Sequence, residues 1–113
     1  MTLGDKQRAF TRMIADLIVY AYDSEWELTF GDAYRDPRLH GQMGEKKSYS
    51  SANSNHKIRL AVDFNLFVKG VYITDGNHPA YKSLGEYWES LGGSWGGRFN
   101  DANHFSLEHQ GRR

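Results

Sequence analysis

The sequence predicts one small domain of the α+β class, with helices and strands along a single chain. Three observations support this prediction. The length of 113 residues is the usual size of one domain. Two segments have apolar residues at helical spacing, one near the start of the chain and one near residue 85. Between and after them lie segments in which apolar and polar residues alternate, as in half-buried strands.

The first helix is predicted over about residues 5–22, because its apolar residues form one stripe. We interpret it as a structural helix that covers a sheet, and we assign it no chemistry. A short strand follows and ends at Gly31, after which Tyr34–Pro37 leads into a turn. The apolar positions of this helix and strand are Phe10, Ile14, Leu17, Ile18, Ala21, Trp26, Leu28 and Phe30.

A long polar loop is predicted from Leu39 to His56, since this segment is rich in serine, asparagine and glycine. Loops of this length are uncommon in small domains and often carry function. A strand with one strongly apolar face then begins at Leu60. It turns at Lys69-Gly70 into Val71–Ile73, which predicts a hairpin.

The second helix is predicted to begin near Pro79 and to end at Gly92-Gly93, because proline favours the first turn of a helix and glycine its end. A glycine-rich turn over 92–97 leads to the last strand, which is predicted around His104–Glu108. The apolar positions of the second helix are Tyr81, Leu84, Trp88 and Leu91.

The composition excludes several classes of protein. Fourteen Lys+Arg balance fourteen Asp+Glu, so no net charge attracts the chain to nucleic acid or anionic lipid. The longest mostly apolar run, 13–22, is shorter than the roughly 20 residues that cross a bilayer. No signal peptide is recognisable, so we expect a cytoplasmic product. The absence of cysteine excludes disulfides, thiolate metal sites and cysteine nucleophiles.

Asp63 is the first candidate for chemistry, because it lies in a predicted strand between apolar Val62 and Phe64. A buried carboxylate is costly without a partner, so it is either a hydrogen-bonded structural acid or a metal ligand. His56 stands seven residues earlier, and an odd spacing puts two residues on opposite faces of a straight strand. His56 can therefore meet Asp63 only from a loop or turn before the strand.

A second candidate group is Asp101 with His104, where a turn leads into the last strand. Either residue alone could belong to an ordinary polar turn. Two histidines and one aspartate are nevertheless sufficient for a metal site. Catalytic zinc commonly has three N/O protein ligands and an open fourth position, whereas structural zinc is closed, usually by thiolates. Without cysteine, the open kind of site is favoured.

An open zinc site needs a base nearby, and Asp101 stands three residues before His104, beside the metal but not on it. Arg35, after the first strand, is a candidate cation for a substrate carboxylate or the developing oxyanion. A surface arginine paired with Asp32 or Asp36 is an equally good interpretation.

Two spaced motifs resemble those of a known family. Residues 54–63 have the pattern S-x-H-x(6)-D, and residues 96–105 with the preceding tryptophan have the pattern W-G-G-R-F-x-D-x-x-H-F. Gly85–Trp88 lies on the helix between them. The sequence thus resembles zinc peptidases of the D-alanyl-D-alanine carboxypeptidase and L-alanyl-D-glutamate endopeptidase type, particularly small phage endolysins. The resemblance extends from about Trp26 to Glu108.

The resemblance implies a small α+β fold, also described as hedgehog-like, with a central antiparallel sheet and flanking helices. It implies that Asp101 is the catalytic base and that Arg35 faces the substrate or the transition state. Ser54 matches the motif serine and is expected near the ligands or the substrate. The implied cofactor is zinc, and its implied ligands are His56, Asp63 and His104.

Two departures from the family are expected to matter. Arg59 stands where the family motif often has glycine three residues after its histidine, so the turn is less permissive and gains a cation. The length leaves room for one catalytic domain, 1–113, and none for a wall-binding domain. Targeting would then come from the catalytic domain itself, for example from Lys46-Lys47 meeting anionic wall polymers.

The leading prediction is a zinc-dependent peptidase that cuts the stem peptide of bacterial peptidoglycan between L-alanine and D-glutamate, as a phage endolysin does. One alternative is a D-alanyl-D-alanine carboxypeptidase or dipeptidase with the same metal site. Another is a wall or phage structural module that binds metal without catalysis, in which Asp101 would be dispensable. We expect a monomer without nucleic-acid or membrane-inserting partners, released to the wall by a holin.

Overall fold

The computed structural model describes residues 1–34 and 54–113, which form two helices and a five-stranded antiparallel sheet. This confirms the predicted α+β class with a central antiparallel sheet. Arg35, Lys46-Lys47 and most of the predicted loop lie outside the described residues. The elements are α1 (Leu3–Asp23), β1 (Trp26–Phe30), a 3₁₀ helix (Asn55–Ile58), β2 (Ala61–Val68), β3 (Val71–Tyr72), α2 (Pro79–Ser90), β4 (Ser94–Trp95), a second 3₁₀ helix (Gly96–Phe99) and β5 (His104–Ser106).

Helix α1 begins two residues before the predicted start and ends one residue after the predicted end. The earlier start is due to a capping box at the N-terminus, which satisfies two backbone N–H groups. The Thr2 hydroxyl accepts from the Asp5 N–H at 3.1 Å, and the Asp5 carboxylate accepts from the Thr2 N–H at 3.1 Å. Within residues 1–34 and 54–113, no helix has the length and apolarity needed to cross a membrane.

The sheet is centred on β2, which pairs with three other strands. The strand order is β1-β2-β5-β4, and β3 pairs with the end of β2. β1 runs antiparallel to β2 from Trp26 opposite Val68 to Phe30 opposite Phe64. On its other edge the first half of β2 pairs with β5, which leaves β3 beside its second half.

Three details of the chain differ from the sequence prediction. The predicted loop does not reach His56, because Asn55–Ile58 is helical. The predicted last strand ends at Ser106 rather than Glu108, because β2 begins at Ala61, directly opposite Ser106, and offers no further strand residue. The glycine-rich turn contains the short strand β4, which pairs with β5.

Trp88 of α2 lies at the centre of the core and is fully buried. Its ring meets Phe10 of α1 and Phe105 of β5 edge to face, with centroids 5.7 and 5.9 Å away. Its Nε1–H donates to the Ser106 carbonyl at 2.8 Å, which satisfies the polar end of the indole. One side chain thus joins both helices to the strand that carries His104.

Trp95 of β4 packs where glycines leave room for its ring. A Cβ built at Gly85 of α2 or at Gly97 would overlap the indole. The indole Nε1–H donates to the Ala102 carbonyl at 2.8 Å. Gly97, which the sequence marks as a turn residue, and Gly85 of α2 therefore both permit close packing beside β5.

Substituting Gly85 tests this packing. Gly85→Ala is expected to lower the free energy of unfolding by about 1–3 kcal/mol, the usual penalty for overpacking a core, because its Cβ would overlap the Trp95 ring. Gly4→Ala is the matched control, since Gly4 is also helical but the nearest atom to its Cβ would lie 3.5 Å away. Alanine favours a helix over glycine, so this control should be at least as stable as the wild type. Urea unfolding measures both, and equal effects would contradict the packing described.

Candidate metal centre

Asp63 and His104 are directly opposite each other in the β2–β5 pair. Opposite residues of antiparallel strands project to the same face, with Cβ atoms about 4.5–5.5 Å apart. The side chains meet there, and Oδ1 of Asp63 lies 3.4 Å from Nδ1 of His104. The sheet register therefore brings together two of the three side chains of the cluster.

His56 reaches the same carboxylate from the 3₁₀ helix that precedes β2. This is the location that its odd spacing from Asp63 requires. Nε2 of His56 lies 3.3 Å from Oδ1 of Asp63. Ser54 caps the N-terminus of this helix, and its hydroxyl accepts a hydrogen bond from the His56 N–H at 3.2 Å. Ser54 thus helps to place the backbone of His56.

The other ring nitrogen of His56, Nδ1, lies 2.8 Å from the Ala33 carbonyl oxygen. A carbonyl only accepts, so Nδ1 carries the proton and the neutral ring has its lone pair on Nε2. Ala33 follows β1 in a segment that stays paired with β2. The Gly31 N–H donates to the Asp63 carbonyl at 2.8 Å, and the Asp63 N–H donates to the Asp32 carbonyl at 2.6 Å. The backbone beside Asp63 therefore sets the tautomer of His56, as is usual for metal-binding histidines.

The three side chains fit a metal ion. One ligand atom from each of His56, Asp63 and His104 lies within 4.8 Å of the others. Tetrahedral zinc with bonds of about 2.0–2.1 Å separates neighbouring ligand atoms by about 3.3–3.4 Å. The distances from Asp63 Oδ1 to the two nearest imidazole nitrogens, 3.3 and 3.4 Å, match this spacing. Buried Nε2 of His56 also has no hydrogen-bond partner among the described residues, which suits a lone pair directed at a metal.

The charge of the cluster resides on Asp63. Burial raises the pKa of its carboxyl, but hydrogen bonds from the protonated imidazoles of His104 and His56, together with their charge, outweigh that effect and lower this pKa to about 2. The carboxylate is therefore ionised at neutral pH, the form that binds a cation. It is 17% exposed, whereas the side chain of His56 is 1% exposed, so the cluster is largely shielded from water.

Asp101 lies beside the cluster and is half exposed, at 52%. Its Oδ2 is 4.0 Å from Nδ1 of His104. The turn that places it is tight: the Asp101 N–H donates to the Gly96 carbonyl at 2.8 Å, and a Cβ on Gly96 would overlap the Asp101 carbonyl. Asp101 also borders a cavity of about 300 Å³ whose lining includes Tyr72 and Thr74. Its carboxylate is thus near the cluster and accessible to a ligand.

Two arginines of the motifs contact other parts of the protein. Arg98 forms two hydrogen bonds with Glu89 of α2, at 2.7 and 3.0 Å. Arg59 ends the first 3₁₀ helix with φ 58°, a left-handed conformation that glycine adopts more easily than other residues. Its guanidinium lies 4.0 Å from the centroid of the Tyr34 ring, a cation–π contact next to Ala33.

Four of the site residues that the sequence indicated lie close together in the structure. The structure brings His56, Asp63, His104 and Asp101 together. Arg35 lies outside the described residues, so its role stays a prediction. The Ala33 carbonyl was not predicted, because any residue type supplies a backbone carbonyl and the sequence carries no signal for it.

The His-Asp-His cluster and the neighbouring exposed carboxylate supply the groups that a metal-dependent hydrolase needs, namely three N/O ligands and a base. The sequence model of the family described as D-alanyl-D-alanine carboxypeptidase matches residues 48–107, more than half of the chain. The chain therefore belongs to that family, and at family level it is a peptidase that acts on peptidoglycan. A search of curated proteins finds no match.

The fit of the three side chains to a metal predicts stabilisation by zinc. A free Zn²⁺ concentration 100 times the Kd should stabilise the metal-free protein by about 2.7 kcal/mol, and EDTA should reverse the effect. Asp63→Asn should lose most of the zinc-induced rise in melting temperature, since it removes the anionic ligand. Asp16→Asn on α1 is the matched control and should respond as the wild type does, because Asp16 pairs with Arg12 away from the cluster. A full zinc response in Asp63→Asn would place the ion elsewhere.

Proposed function

We propose that this peptidase is a zinc-dependent endopeptidase that cuts the L-alanyl–D-glutamate bond of the peptidoglycan stem peptide, in the manner of a phage endolysin. The observation that carries the catalytic part of the proposal is the exposed carboxylate of Asp101 beside the His-Asp-His cluster. A module that merely bound metal would have no use for that carboxylate. Membership of the peptidase family supports the substrate class.

In this proposal His56, Asp63 and His104 hold the zinc ion. When bound in an open N/O site, zinc polarises the scissile carbonyl and lowers the pKa of water to about 7. The protein contributes the geometry. The β2–β5 register holds Asp63 and His104, and the Ala33 carbonyl with the Ser54 hydroxyl holds His56.

Asp101 is the proposed general base. Its carboxylate would take a proton from the attacking water and later deliver it to the amine of the leaving peptide. The position supports both steps, since Oδ2 lies 4.0 Å from the proposed ligand atom of His104 while half of the side chain is exposed. The water oxygen would bond to the scissile carbonyl carbon, the C–N bond would break, and the proton carried by Asp101 would go to the departing amine, which balances the hydrolysis of one amide bond.

The remaining residues and partners extend the proposal. Arg35 would stabilise the developing oxyanion or bind a substrate carboxylate. Ser54, expected from the resemblance near the metal ligands or the substrate, accepts a hydrogen bond from the His56 N–H, which supports a role in positioning His56. We further propose a monomeric catalytic domain over 1–113, released to the wall by a holin, with Lys46-Lys47 as a local contact for anionic polymers.

Asp101→Asn tests the catalytic role. The substitution removes the base but not a ligand, so hydrolysis of purified sacculi should fall by about 10²–10⁴-fold while the zinc content stays at the wild-type level. Asp75→Asn is the matched control, because Asp75 lies between Thr74 and Gly76 of the neighbouring cavity and accepts only a local backbone N–H in the described structure. It should retain activity. Lysis by Asp101→Asn at the wild-type rate would overturn the proposed mechanism.

The bond that is cut can be read from the products. Mass spectrometry of digested muropeptides should show a newly freed L-alanine carboxyl group if the proposal is right. Release of terminal D-alanine alone would instead show the carboxypeptidase activity for which the family is described, which is the second candidate. The Asp101→Asn variant serves as the blank for both products.

A further inference from the structure

Asn55, the residue between Ser54 and His56, is fully buried. Its side-chain Nδ2 donates to the Leu107 carbonyl at 3.1 Å and to the Arg112 carbonyl at 2.9 Å. Both carbonyls belong to the C-terminal segment, defined here as residues 107–113, which directly follows β5. One amide group therefore joins the 3₁₀ helix that carries His56 to the continuation of the strand that carries His104.

The backbone reinforces the same connection. The Asn55 carbonyl accepts from the Leu60 N–H at 3.0 Å, and the Leu60 carbonyl accepts from the Leu107 N–H at 2.9 Å. The first of these bonds joins the start of the 3₁₀ helix to Leu60 just after its end. The second attaches that residue to Leu107, which the Asn55 side chain also contacts. The segment, in turn, starts three residues after His104.

The chemistry of an asparagine side chain suits this contact. A side-chain amide supplies two N–H donors from one nitrogen, and both are used. Its Oδ1 is buried and has no hydrogen-bond partner among the described residues, so the group serves as a donor. An apolar side chain here would leave the Leu107 and Arg112 carbonyls without this donor, and aspartate would present an acceptor to them.

We infer that Asn55 is a positioning residue of the metal centre: it holds His56 at the separation from Asp63 and His104 that a shared ion requires. The inference rests on the proposed zinc site. The competing interpretation is that Asn55 only stabilises the C-terminal segment. That segment also has a side-chain attachment to α1 through Lys6, whose Nζ donates to the Glu108 carbonyl at 3.2 Å and lies 3.2 Å from Nδ1 of His109.

Asn55→Ala and Lys6→Ala form a matched pair, because each removes one side-chain attachment of the C-terminal segment, but only Asn55 belongs to the 3₁₀ helix that carries His56. Zinc affinity is measured by competition with a chromogenic chelator, on protein shown to be folded without metal by circular dichroism. Asn55→Ala should bind zinc about 10–100-fold more weakly, as is typical when a residue that orients a ligand is lost. The visible absorption of its Co²⁺ form should change. Lys6→Ala should match the wild type in both measurements.

An unchanged zinc affinity and Co²⁺ spectrum in Asn55→Ala would overturn the inference, even if the melting temperature fell. If Asn55→Ala is unfolded without metal, Asn55→Ser decides by the same measurements. Serine retains one donor, so an affinity between those of the wild type and the ligand variant His56→Ala supports the inference, and wild-type affinity overturns it. Failure of the proposed zinc site is distinguishable, because the wild type itself would then bind zinc no better than His56→Ala.

Discussion

The register of β2 against β5 is the constraint on which the rest of the site depends. It places Asp63 opposite His104 and, one residue along, Val62 opposite Phe105. Because successive side chains alternate between faces, a slip of one residue would turn the apolar pair out of the core. Val62 and Phe105 are almost completely buried, so such a slip would expose large apolar surface. Packing on one face of the sheet thereby fixes the geometry of the polar cluster on the other.

Two indole rings hold β5 in that register from outside the cluster. The Nε1–H of Trp88 donates to the Ser106 carbonyl at one end of the strand, and that of Trp95 donates to the Ala102 carbonyl just before the other. Both rings approach closely because glycines lie against them. Helix α2 carries none of the three clustered side chains, yet it supplies Trp88 and the surface on which Trp95 packs. This explains physically why a tryptophan and several glycines accompany the histidine and the aspartate in the motifs.

Periodicity was sufficient to predict the main elements, and spacing was sufficient to place His56 before β2. Neither could supply the register of β2 against β5, since those strands are far apart in sequence and two-residue β4 between them is too short to show alternation. Helix and strand ends depended on single contacts, such as the capping box at Thr2, that no stripe of apolar residues encodes. The Ala33 carbonyl and the use of both Asn55 donors depend on tertiary structure alone.

The two carboxylates of the site differ in environment, and this difference supports different roles for chemically identical groups. Asp63 is enclosed by two imidazoles that hold its pKa at about 2, so it is a very weak base at neutral pH. A group that must accept a proton from water and release it again needs a path to solvent. Asp101 has that path, because half of its side chain is exposed beside a cavity. In the proposed mechanism, proton transfer therefore falls to Asp101, and Asp63 keeps its charge to hold the metal.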